Sequence, residues 1–238
     1  MKILLPALLA LSTSWGYCDY SEPYAPIDGT RLKQLSGFIP QNWEAIALAE
    51  GDLNNDKKTD YALIVQKIDP RNIRSSGGMI ATDINTNPRH LLLIFTVKED
   101  DQQKLIRKRI YRKFVPTLDK TLPNMAEPVS YIGINEGIFE IKFKSEPQDD
   151  SWSKQDITYR FGYHEQSEQF RLTTYENHTV NKATAMFKKQ SIDLVSGTQD
   201  SAFGSMSSPR HRRDSEIFKA SKHWTLCDIK KPLVFRPN

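Results

Sequence analysis

The sequence predicts a mainly β protein: a single antiparallel-rich β domain with a short N-terminal helix and not a complete propeller. Three observations point there. Apolar runs of strand length recur from Trp43 onward, several of them alternate with period two, and clusters of Asp, Asn, Ser, Gly and Pro separate them. The pattern that opens the first hairpin, Asp-x-Asn-x-Asp, has no second copy to supply further propeller blades.

Residues 1–16 read as a signal peptide. Lys2 precedes an apolar run from Ile3 to Leu11, and Ser14 and Gly16 supply the small residues of a cleavage site. The mature chain then starts at Tyr17 and is periplasmic or secreted. Lipidation of Cys18 is the alternative, although Tyr17 is larger than that processing favours. No other stretch is long and apolar enough for a transmembrane segment. A formal net charge of +4 is too small to argue for nucleic acid.

Residues 17–37 form an N-terminal arm and a short helix. Pro23, Pro26 and Gly29 keep the arm extended, Thr30 can cap a helix over 31–36, and Gly37 ends it. The β domain runs over 38–200, with Phe38 and Trp43 as core anchors. Strands at 43–49 and 61–66 flank the turn Gly51-Asp52-Leu53-Asn54-Asn55-Asp56-Lys57-Lys58-Thr59-Asp60. The second strand is continuously apolar, as a doubly covered central strand requires.

Within that turn Asp52, Asn54, Asp56 and Asp60 occupy loop positions 1, 3, 5 and 9, and Lys58 can offer its carbonyl. This spacing can aim oxygens at one hard cation, calcium first. The same residues can equally accept bonds from backbone N–H groups two residues on, as turn chemistry with no metal.

The loop and the following Tyr61-Ala62-Leu63-Ile64-Val65 resemble one FG-GAP-type (integrin-like, VCBS-like) repeat, whose acidic loop often holds calcium. With Phe38-Ile39-Pro40-Gln41-Asn42-Trp43 and Leu91-Leu92-Leu93-Ile94-Phe95, residues 35–174 resemble uncharacterised bacterial periplasmic and lipoprotein-type proteins with a single such loop. The resemblance implies a β scaffold and an ion that orders the loop. Lys57 stands at the usual glycine position, and Lys58 adds a second positive charge.

Residues 67–89 read as a polar excursion over a sheet edge, and 90–97 as a second buried strand. In the stretch 104–114, Ile106, Ile110 and Phe114 face one side and Arg107, Arg109 and Lys113 the other, with Lys108 and Arg112 out of pattern. Such a basic face can bind phosphate-bearing glycans, lipid headgroups or an acidic protein, and it can also protect an exposed edge. After a proline-rich connector, the runs 138–143, 157–163 and 169–174 alternate cleanly as a meander. A further strand follows at 191–195.

The tail, 201–238, begins with a polar flexible segment and the surface loop Arg210-His211-Arg212-Arg213. It then becomes apolar around Trp224, Leu226 and Phe235. Cys18 and Cys227, alone in an oxidising compartment, are expected to pair and tie the tail back. The five histidines show no zinc spacing, and no nucleophile elbow appears, so no catalytic residue is assigned and hydrolase chemistry has no selected residues. Two roles fit this scaffold: an exported binding or interaction protein whose partner is an envelope protein or glycan, and a periplasmic inhibitor, such as an immunity protein against an envelope-attacking toxin.

Overall fold

In the computed structural model, residues 27–75, 83–100, 102–118, 127–145, 152–208 and 210–238 are described. Residues 1–16, read from the sequence as a signal segment, and Cys18 lie outside them. A helix α1, Gly29–Leu35, opens the described chain, and thirteen strands follow: β1 Trp43–Gly51, β2 Asp60–Lys67, β3 Ile73–Ser75, β4 Asp83–Asn85, β5 Arg89–Glu99, β6 Gln102–Tyr111, β7 Val129–Asn135, β8 Ile138–Ser145, β9 Ser153–His164, β10 Gln169–Asn181, β11 Met186–Asp193, β12 Thr198–Ser205 and β13 His211–Ile217. The fold is mainly β, as expected.

The helix starts two residues earlier than its sequence suggests. Asp28, rather than Thr30, is the N-cap, its carboxylate accepting the Thr30 N–H at 3.1 Å.

The strands divide into two antiparallel sheets rather than one, with a small β3–β4 hairpin beside them. The first sheet has the order β1-β2-β5-β6, and the second runs β13-β12-β11-β10-β9-β8-β7. Their facing sides build the main core. Ala47, Ala62, Ile64, Leu91, Leu93 and Phe95 come from the smaller sheet, and Phe139, Ile141, Phe143, Ile157, Tyr159, Phe161, Phe170 and Leu172 from the larger. Phe114 joins them from the connector, its ring edge-on to Phe143, Tyr159 and Phe161 at 5.6–5.9 Å, a favoured quadrupole geometry.

β2 is buried on both faces. Ala62 and Ile64 point to the main core, while Tyr61, Leu63 and Val65 pack under Leu35, Phe38, Ile39 and Trp43. The N-terminal helix therefore lids the smaller sheet's outer face, which is why this strand reads as a continuous apolar run. In β6, the out-of-pattern Lys108 is the extra residue of a bulge, since Leu93 faces Arg109 and Ile94 faces Arg107.

Two expectations for the C-terminal part change. The supposedly flexible segment and surface loop are β12 and β13, so the sheet continues to Ile217 instead of ending near residue 200. The tail is held by packing and hydrogen bonds. Leu226 and Ile229 are buried in the main core, Leu172 N–H donates to Trp224 O at 2.8 Å, and the buried Tyr159 hydroxyl donates to Pro232 O at 2.6 Å. Cys227 is exposed with a free thiol, and its Sγ accepts a long 3.5 Å contact from Arg109. The pairing with Cys18 is without support, and the tail has no need of it as an anchor.

Candidate functional site

The acidic loop joins β1 to β2 and is fastened at four points. Leu53, between Asp52 and Asn54, is fully buried in the main core. Gly137 N–H, in the β7–β8 turn, donates to Asp52 O at 3.1 Å, and this glycine has a φ of +77° with Asn55 packed where a Cβ would stand. Gly51 lies so close to Ile134 of β7 that a Cβ would fall 2.7 Å from its side chain. The loop thus sits at the end of the sandwich where the two sheets meet.

The fourth fastening is Asp60, whose carboxylate is wholly buried. One oxygen accepts Leu53 N–H at 2.9 Å and the other Thr96 N–H at 2.8 Å. Burial raises its pKa against the lowering effect of those two donors, and the charges of Asp56 and Asp52 add to the rise.

Asp52, Asp56 and Asp60 come together, with one ligand oxygen from each within 4.8 Å of the others, so the cluster could hold a metal ion. The hydrogen bonds describe what these oxygens already do. Asp52 accepts from Asn54, Asp56 and Lys57 N–H at 3.2, 3.2 and 2.7 Å, and Asn54 Oδ1 accepts from Asp56 N–H at 3.1 Å. Asp56 accepts the Lys58 N–H at 2.9 Å and the Lys58 ammonium at 2.8 Å. Burial acts to raise the Asp56 pKa, but these bonds to Lys58 outweigh it and lower the value. An ammonium thus neutralises one corner of the cluster, and any cation must share or displace these bonds.

Lys57 adopts the left-handed conformation that glycine would take, with φ +63°, and Asn55 does the same at +62°. For lysine this costs about 1–2 kcal/mol. Strain of this kind persists where its surroundings over-determine it; here the short bond from Lys57 N–H to Asp52 holds it.

The two lysines that count against a cation line a different feature. Beside the loop is a pocket of about 300 Å³ whose walls include Arg31 of α1, Lys57 and Lys58 of the loop, Lys104 of β6, and the polar groups of Thr59 and Thr96. Arg31 pairs with Glu50 at 3.3 Å, Lys58 with Asp56 at 2.8 Å and Lys104 with Glu99 at 2.7 Å. Among the described residues Lys57 has no carboxylate partner. Sequence reading found the basic β6 stretch but missed Arg31, because nothing local marks a helix residue as the neighbour of a loop 26 positions away.

No family model matches this chain, and the comparison with curated proteins finds no significant match.

Proposed function

We propose that the protein is an exported binding module that takes an anionic group, of the phosphate-bearing glycan kind, in the pocket beside the acidic loop. The observation that carries this reading is the convergence of four cationic side chains from three separate elements on one polar recess. Three of them are partly neutralised by carboxylates, so Lys57 supplies the uncompensated charge. The Thr59 hydroxyl can donate to a phosphate oxygen, whereas the Thr96 hydroxyl already donates to Thr59 O and helps to fix that wall; charge-assisted bonds from the lysines and Arg31 to such oxygens are the stronger kind. In this reading the Asp and Asn side chains are a frame that presents Lys57 and Lys58, and the strained Lys57 backbone is the cost of that presentation. Export rests on the N-terminal sequence, and a periplasmic glycan is the matching partner.

The experiment is calorimetric titration of the full chain with inorganic phosphate and with a phosphorylated oligosaccharide, at low and at high salt. Binding is expected to weaken as salt rises. Lys57→Ala and Arg31→Ala should each reduce affinity about tenfold, or roughly 1.4 kcal/mol. Affinity unchanged in both variants would end this reading.

A second reading, favoured by the three converging carboxylates, is that the loop holds calcium weakly, as its FG-GAP-like sequence implies. The same titration with calcium separates the two. Calcium heat that grows in Lys57→Gly and vanishes in Asp56→Ala supports the metal, whereas loss of phosphate binding in Lys57→Gly supports the anion.

A further inference from the structure

We propose that the chain dimerises through β13, two copies pairing antiparallel about Asp214 to join their seven-stranded sheets into one. β13 is the outermost strand of its sheet, and all seven of its residues are exposed. Among the described residues, its backbone hydrogen bonds run to β12 alone. The opposite end of the same sheet is different, because β7 is closed off by contact with β1 at Gly51 and Ile134. A bare edge of this length is a template for another strand.

The occupant is argued from charge. The first part of the strand is basic, with His211, Arg212 and Arg213, and the last part is acidic, with Asp214 and Glu216. An antiparallel copy of itself is therefore its electrostatic complement, whereas a parallel copy would oppose like charges.

A two-fold axis perpendicular to the sheet must place some residue opposite itself, because facing residues share a face. Centring on Asp214 lets the whole strand pair, with Arg212 opposite Glu216 of the second copy twice over. It also sets Arg213 opposite Ser215, and His211 opposite Ile217. Centring on Ser215 would set Asp214 against Glu216, and centring on Arg213 would set two guanidinium groups together.

The facing Asp214 carboxylates are each already paired within their own strand, with Arg212 Nε at 2.7 Å. Arg212 can bridge Asp214 and the incoming Glu216, whose present partner is the neutral amide of Gln199. The pairing would also cover Ile217, an aliphatic side chain now 90% exposed. A single strand pair buries little area, so association should depend on concentration. This inference is independent of the anion pocket, which lies on the other sheet.

Sedimentation velocity on the full chain over a concentration series should show a monomer–dimer equilibrium. Arg212→Glu and Glu216→Arg should each weaken it at least about tenfold, and an equimolar mixture of the two variants should restore it, since every Glu then meets an Arg. Both side chains are exposed, and unchanged melting would verify folding. As a second measure, Asp214→Cys in a Cys227→Ser background should form an intermolecular disulfide through residue 214 on oxidation. Ser215→Cys in that background should not, because its own copy lies diagonally across. A monomer at every concentration, a dimer indifferent to both charge reversals, or a mixture that fails to reassociate would each overturn the proposal.

Discussion

Asp60 and His90 show how single buried polar groups set conditions on this fold. Asp60 satisfies one backbone donor from the loop and one from β5, each with its own oxygen. An amide has one acceptor oxygen, so Asp60→Asn would turn an NH₂ group toward one of these N–H groups. We expect a loss of about 1–3 kcal/mol, read as a lowered urea midpoint. His90 packs tilted against Trp43 with ring centroids 4.3 Å apart, and burial, aided by the charge of Arg112, holds its pKa below the ordinary value of 6.5. As pH falls the unfolded chain takes up this proton first. The His90 contribution to stability is therefore complete above about pH 6.5 and is lost as pH falls through the folded value. Denaturant midpoints measured between pH 7 and pH 5 should decline, and the decline should be shallower in His90→Gln.

Between elements, a buried ion pair ties the smaller sheet to the connector that leads into the larger one. Arg89 of β5 is only 3% exposed, binds Gln66 of β2 through Nε at 2.9 Å, and meets Glu127 through two bonds of 2.5 and 2.7 Å. Glu127→Ala leaves that guanidinium without its counter-charge. A loss of about 3 kcal/mol is expected, at the lower end for buried pairs because Glu127 is one-fifth exposed. Thermal melting is the measurement, and a change within experimental error would mean that water replaces the carboxylate. The β1–β2 hairpin, the doubly covered β2 and the β8–β9–β10 meander were all legible, since each has an apolar period or a continuous apolar run of strand length. β12 and β13 were not. Most of their residues are at least partly exposed and they face no second sheet, so there was no buried face to leave a pattern.

For the molecule as a whole, the C-terminal segment acts as a structural strap. Trp224 packs edge-on to Phe235 at 5.0 Å, Phe235 lies against Tyr159 and Tyr175, and Tyr175 Oη donates to Phe235 O at 3.0 Å. Burial raises the pKa of both tyrosines, so they act here as neutral donors. Deleting residues 222–238 should uncover this aromatic cluster. The truncated chain is expected to bind a hydrophobic dye and to melt well below the full chain, whereas Cys227→Ser should melt close to it.

The sequence by itself determined the fold class, the position of the acidic loop at the tip of a hairpin, and the inward faces of the meander. These properties are local: an Asp/Asn turn and a period of two are written in neighbouring residues. Tertiary structure alone decided the rest. It split the strands into two sheets, because which strands pair depends on contacts distant along the chain. It also joined Arg31 and Lys104 to Lys57 and Lys58, turning residues that weaken a cation site into the wall of a cationic pocket. Last, it left β13 as an open edge, a property of where the sheet stops.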